Sequence, residues 1–289
     1  MSGADVIEER SMEPEPGSDP AVHSPARGGG ATAAAEPSAV PGGGAISAAE
    51  PSAVPRYSIV IPIHNEAECL EGEVASLVGE LDARSVDYEL LLAENGSTDQ
   101  TPAIADRLAA HYPQVRTLHL SAPDYGLAMK TGMLTARGDY VVNFDIDFHD
   151  VDFLLNAGSL LDSCGVVVGS KLMPGSEDKR SGARHMVSLG FTTILRLLFD
   201  PRMDDTHGMK ALRREVVQRF APQTVMSRDI WDTELIIRGR RGGVVVKALP
   251  VTVEEKRKPR SSIVRRIPRT MKGLLRLRLV LWREGKAGS

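Results

Sequence analysis

Between Tyr57 and Gly169, five short runs of mostly β-branched and aliphatic residues are separated by four stretches whose apolar residues recur at helical spacing. No other property of the chain constrains its fold as tightly. Tyr57-Ser58-Ile59-Val60-Ile61-Pro62 opens the series, and further strands are expected at residues 88–93, 115–120, from Tyr140 onward, and 166–169. Leu70, Val74, Leu77, Val78 and Leu81 share one face of the first expected helix, with Asn65 placed to cap it. Helices are also expected over 102–111, over 127–136, closed by Gly138, and over 151–162. Strands this apolar are buried on both faces. The alternation therefore implies an α/β fold: a mostly parallel sheet with helices on both faces, binding ligands beyond the carboxyl ends of its strands.

Residues 1–55 are rich in Gly, Ala, Pro, Ser and Glu and nearly lack large apolar side chains, so they are expected to be a disordered tail. Within them the segment from Gly28 to Pro41 recurs almost unchanged from Gly42 to Pro55. Neither copy has an apolar face to stack, which makes it a duplicated linker rather than a solenoid. The remainder divides into a domain over 56–258 and a basic segment over 259–289. Cys69 and Cys164 match no metal or redox spacing and read as reduced thiols in or near the core. No stretch approaches the roughly 18 consecutive apolar residues of a membrane span. The acidic start, with Glu8, Glu9, Glu13 and Glu15, lacks the order of a signal peptide, so a cytoplasmic location is expected.

The run Tyr140-Val141-Val142-Asn143-Phe144-Asp145-Ile146-Asp147-Phe148-His149 ends a buried strand in charged side chains. In an extended backbone Asp145, Asp147 and His149 would share one face. Two carboxylates and an imidazole suit Mg2+ or Mn2+, the imidazole leaning toward Mn2+; a polar loop after a strand is the competing reading. Pro62-Ile63-His64-Asn65-Glu66 and Glu94-Asn95-Gly96-Ser97-Thr98-Asp99 bring further polar groups to the same edge, where a nucleotide could lie. Neither Gly-x-Gly-x-x-Gly after the first strand nor a P-loop lysine motif occurs, which argues against dinucleotide dehydrogenases and P-loop NTPases. A metal held by carboxylates would instead neutralise a diphosphate and stabilise it as a leaving group.

Taken in order, these motifs resemble the family 2 glycosyltransferases of GT-A (Rossmann-like) fold over roughly residues 57–258, most of all the polyprenyl (dolichol) phosphate mannose synthase branch. The resemblance implies a nucleotide-sugar site at Pro62, Asn65, Glu66, Glu94, Asp99 and Asp145. It implies an Asp-x-Asp metal motif at Asp145 and Asp147, with His149 where that branch commonly has a further glutamine ligand. The segment from Asp124 to Gly132 resembles the family's Gly-Leu-Gly-x-Ala turn, where Gly126 would allow close backbone approach. Lys130 reads as a solvated lysine on a helix face in preference to a phosphate ligand. Lys171, Arg180, Arg184 and Ser188 resemble the branch's acceptor-phosphate loop, and Lys256 and Arg257 stand where phosphate-binding groups follow the last strand. Asp205, in a segment resembling Asp-x-x-Gly-Phe-Arg/Lys, would meet sugar hydroxyls. Asp232 and Glu234 lie near where many inverting members carry a catalytic base, completing with Asp147 and Asp205 the catalytic candidates. A hydroxyl acceptor needs such a base. A phosphate monoester, with a second pKa near ~6, arrives anionic and needs positioning more.

After an expected strand at 244–250 the chain turns basic, and from Pro268 to about Trp282 a helix would place Leu275, Leu279 and Trp282 on one side among Lys and Arg. That pattern suits the surface of an anionic bilayer; packing against a partner or the chain itself is the alternative, and missing base-stacking aromatics argue against nucleic acid. The resemblance as a whole implies a metal-dependent inverting transferase that moves a hexose, mannose in the branch it most resembles, from a GDP- or UDP-linked sugar. The acceptor would be a polyprenyl phosphate at the inner face of the membrane, approached peripherally. A hydroxyl acceptor on the same fold, and a non-catalytic nucleotide-sugar-binding scaffold, are the competing readings.

Overall fold

In the computed structural model, which describes residues 54–178, 182–206, 208–253 and 263–287, the first strand β1 (Tyr57–Ile63) lies between two parallel neighbours. On one side is β2 (Tyr88–Asn95), buried along its whole length as a strand covered from both faces must be. Beyond it runs β3 (Val115–Leu120). On the other side lies β4 (Tyr140–Asn143), followed in space by β7 (Lys210–Arg213), β5 (Val166–Ser170) and β8 (Val246–Pro250). The seven-stranded order is β3-β2-β1-β4-β7-β5-β8, and β7 alone among them runs antiparallel to its neighbours. A separate two-residue parallel ladder joins β6 (Glu177–Asp178) to β9 (Thr252–Val253).

Alternate residues of the same strands feed two cores. Ile59, Ile61, Leu90, Leu92 and Val142 meet α1 (Leu70–Ala83), α2 (Thr101–His111) and α4 (Val151–Leu161). Val60, Leu91, Val141 and Leu212 meet α3 (Tyr125–Thr135), α6 (Arg214–Phe220) and α7 (Trp231–Arg241) on the other face. Each fully buried aliphatic side chain stabilises the fold by about 1.5–3 kcal/mol. Leu195 of α5 (Gly182–Leu198) and Leu274, Leu277 and Leu281 of α8 (Ile263–Ala287) join the second core. The mostly parallel sheet with helices on both faces matches the expected class.

Local expectations differ in several places. Asn65 does not cap α1: the helix starts at Leu70 after Cys69, and Asn65 sits in the left-handed region with φ 55°. Its side chain is engaged instead with the loop after β2. α3 ends at Thr135, before Gly138. Gly138 serves a close approach, because a Cβ there would lie 2.7 Å from the Ser58 backbone nitrogen. α5, β7, α6 and α7 had no expected counterparts. α8 starts before Pro268 and docks its Leu274, Leu277 and Leu281 face, leaving Leu275, Leu279 and Trp282 about half exposed. The disordered tail expected over residues 1–55 falls, apart from its last two residues, outside the described residues, as do Arg180, Lys256 and Arg257. Among the described residues, no helix is long and apolar enough to cross a membrane.

Candidate active site

β1 continues to Ile63, whereas β4 leaves the ladder at Asn143, opposite Val60. A crevice therefore opens at the carboxyl ends between these strands, where the strand order reverses direction. Pro62, His64 and Glu66 line one wall, Asn95 and Tyr125 another, and Asp145, Ile146 and Asp147 the third.

The first wall is stitched to the second by side chain to backbone bonds. Asn65 N donates to Ser97 Oγ at 2.9 Å and Thr98 N to Asn65 Oδ1 at 2.8 Å. Glu66 N donates to Thr101 Oγ1 at 2.7 Å, and Ala67 N to Asp99 Oδ2 at 3.2 Å. Asp99 also accepts from Thr101 N at 2.9 Å. Burial pushes its carboxyl up, but the Thr101 and Ala67 hydrogen bonds outweigh that and hold it below its ordinary value. Glu94, 2% exposed, accepts from Ser97 N at 2.6 Å beneath the loop. Of the expected nucleotide-sugar residues, Pro62, Glu66 and Asp145 thus line the crevice, while Asn65, Glu94 and Asp99 brace it from behind.

Asp145 and Asp147 belong to a tight turn. Asp145 N donates to Phe148 O at 3.2 Å and Phe148 N to Asp145 O at 3.1 Å. Phe144 and Ile146 remain buried in the core, which aims Asp145 and Asp147 into the crevice. The turn ends the alternation on which the three-residue ligand row depended, and His149 does not join the pair. Its Nε2 lies 3.3 Å from Glu73 Oε2 on α1, and its buried Nδ1 has no hydrogen-bond partner among the described residues. No three His, Cys, Asp or Glu side chains gather as a metal centre among those residues. Asp145 is surrounded by protein yet open to water on the crevice side. Burial raises its carboxyl pKa, Lys210 and Lys171 oppose this, and Asp147 and Asp232 add to it. A pair of crowded carboxylates of this kind fits a divalent cation with oxygen ligands.

Behind the crevice, the remaining candidates are paired. Asp232, 3% exposed, accepts from Lys210 Nζ at 2.7 Å and from Thr233 N at 2.8 Å. Glu234, fully buried, accepts from Val225 N at 2.9 Å, Met226 N at 2.6 Å and Arg238 Nε at 2.7 Å. The base expected at Glu234 is therefore replaced by a brace whose oxygens are already engaged. Lys171 Nζ lies 3.5 Å from Asp205 Oδ2, so an acceptor-phosphate candidate and a sugar-hydroxyl candidate form one buried pair. Ser188 is partly buried on α5, and Arg184 falls in the same helix.

Asp124 caps α3, accepting from Leu127 N at 3.0 Å, and its own N donates to Asn95 Oδ1 at 2.6 Å. A Cβ on Gly126 would stand 2.5 Å from Arg228 N, the close approach its position suggested. Lys130 donates to Thr224 O at 3.2 Å and Pro222 O at 3.4 Å, fastening the 222–224 turn where solvation was expected. Tyr125 and Lys210 were missed as parts of the site. An aromatic after an Asp cap hints at Tyr125, and Lys210 stands at the Arg/Lys of the segment resembling Asp-x-x-Gly-Phe-Arg/Lys, but no local pattern shows acceptors that lie far along the chain.

Comparison with known proteins places this architecture. The chain is 32% identical over 217 residues to the glycosyltransferase AglD of Haloferax volcanii, covering 73% of this chain but only 35% of that relative's length. It is 28% identical over 211 residues to the polyprenol monophosphomannose synthase of Mycolicibacterium smegmatis, covering 70% and 78%. Glucosyl-3-phosphoglycerate synthase of Mycobacterium tuberculosis, solved with Mn2+, uridine diphosphate and glucosyl-3-phosphoglycerate, superimposes with a TM-score of 0.58 at 21% identity, over 78% of this chain and 80% of that one. The likeness is one of fold, a GT-A-like sheet. Residues 58–220, which carry nearly all of β1 through α6 and both aspartates of the crevice, match the model for glycosyl transferase family 2, so the chain belongs to that family.

Proposed function

We propose that the protein transfers a hexosyl group from a nucleotide sugar to a polyprenyl phosphate, using a divalent cation, Mn2+ or Mg2+, at the cytoplasmic surface of a membrane. The observation that carries the donor side is the convergence of three strand ends on one crevice with Asp145 and Asp147 crowded together in it. Those two carboxylates would hold the cation, with donor phosphate and water supplying the other ligands. When bound, the cation neutralises the departing diphosphate. The chain's own part is to fix the donor against the strand ends and to keep the acceptor in line.

The acceptor follows from the bases. Asp232 and Glu234 are tied to Lys210 and to Arg238 with two backbone N–H groups. Neither is poised to take a proton from an alcohol, which favours an acceptor that arrives ionised. The similarity to a polyprenol monophosphomannose synthase supports the same class. The test is transfer of labelled hexose from UDP- and GDP-sugars into solvent-extractable polyprenyl phosphate with Mn2+. Label reaching a soluble or glycan hydroxyl acceptor while none enters the lipid would overturn the acceptor assignment.

The exposed face of α8 supports a peripheral approach to lipid. Leu275, Leu279 and Trp282 stand 52%, 56% and 52% exposed among exposed Lys272, Arg276, Arg278 and Arg283, while the opposite face is docked. Leu275→Ser with Leu279→Ser is expected to cut co-sedimentation with anionic vesicles by about tenfold or more and to leave the melting temperature near that of wild type. Unchanged sedimentation would remove α8 as the contact.

A further inference from the structure

Lys210 is the first residue of β7 and is 1% exposed. An ammonium so deep is costly unless its N–H groups all find acceptors. Here three do: Asn143 Oδ1 at 3.1 Å, Gly208 O at 2.8 Å and Asp232 Oδ2 at 2.7 Å. They come from the last residue of β4, the loop entering β7, and the first turn of α7. Asn143 also ends the ordered ladder just before the Asp145–Phe148 turn, and its amide donates to Phe144 O at 3.2 Å. One side chain therefore fastens the root of that turn to two other pieces of chain.

We propose that Lys210 is a positioning residue: bonded at once to Asn143, Gly208 O and Asp232, it fixes the strand end that presents Asp145 and Asp147. The proposal rests on the reading of that pair as the cation site. Replacing the ammonium by an apolar chain frees the turn, so added metal, by tying the two carboxylates together, takes over part of the lost role. Arginine keeps the charge, but its planar fork does not converge on three acceptors as an ammonium does.

Full-length wild type, Lys210→Met and Lys210→Arg are compared by hydrogen exchange without metal and by thermal shift on adding Mn2+. In Lys210→Met, exchange at residues 144–148 is expected to rise about tenfold more than in β1 and β2. The Mn2+-induced shift should exceed that of wild type. Lys210→Arg should loosen the same turn to a smaller extent, with a Mn2+ shift between those of wild type and Lys210→Met. A Met variant whose exchange rises evenly throughout, or whose Mn2+ shift equals that of wild type, overturns the Lys210 role alone. A wild type that does not respond to Mn2+ overturns the cation reading and this role with it. Should Lys210→Met fail to fold, the Arg variant decides: exchange at 144–148 no faster than in wild type overturns the proposal.

Discussion

At pH 7 and without metal, Asp145→Asn protein is expected to melt above wild type while its turnover with Mn2+ falls by about a thousandfold or more. The two effects have one cause. The Asp145 carboxyl is raised above its ordinary value by burial, with Asp147 beside it, so the native state holds that proton more tightly than the unfolded chain does. A group of this kind contributes most to stability at low pH, and the contribution is lost as pH rises from the unfolded carboxylate range through the folded value. At neutral pH the wild type carries the cost of placing a titratable carboxyl at this position; the Asn variant does not. The gap in melting temperature should close below about pH 4, where both forms are uncharged at this position. Mn2+ should stabilise wild type and leave Asp145→Asn nearly unmoved. Scanning calorimetry at pH 4 and pH 7 with initial rates on the same samples checks all three. A variant that melts below wild type at pH 7 would mean that Asp145 supports the fold, with no strain held for a ligand.

How much of this was legible in the sequence depended on the range of the interactions involved. β1 and β2 were legible because a parallel strand buried on both faces is apolar along most of its length, and α1 because its buried residues recur at helical period. Asp145 and Asp147 were legible because Phe144 and Ile146 must stay in the core, and that requirement aims the aspartates outward whether the chain runs straight or turns. His149 was misjudged because the turn depends on bonds between Asp145 and Phe148 that an alternating pattern does not encode. β7 was invisible for another reason: Lys-Ala-Leu-Arg is too short and too polar to read as a central strand. It is one because the Lys210 charge is met by Asn143 and Asp232, 67 and 22 residues away. Asp232 and Glu234 read as base candidates from their neighbourhood in the chain. Their partners, set by the packing of α7 under the 224–228 segment, turn both into structural groups.

Glu234→Ala is expected to cost about 3–5 kcal/mol of stability, among the largest losses available to a single side chain here. Its carboxylate is fully buried and meets the backbone N–H groups of Val225 and Met226 as well as Arg238 Nε. Truncation strands the buried Met226 N–H and the partly buried Val225 N–H, and leaves Arg238 with Glu284 of α8, at 2.9 and 3.0 Å, as its remaining ionic partner. For a domain of this size the melting temperature should drop by about 10 °C. Glu234→Gln is the sharper probe. It keeps the shape and one acceptor oxygen but turns an NH2 toward donors, so a smaller loss of about 1–3 kcal/mol is expected. Activity per folded molecule should stay within about threefold of wild type, because a brace acts through the fold and not on the proton of an acceptor. A catalytic base gives the opposite pattern, with an unchanged melting curve and a rate reduced by about two to four orders of magnitude. Thermal denaturation and initial rates on Glu234→Gln therefore separate the two roles, and a stable but inactive variant would return Glu234 to the chemistry and reopen a hydroxyl acceptor.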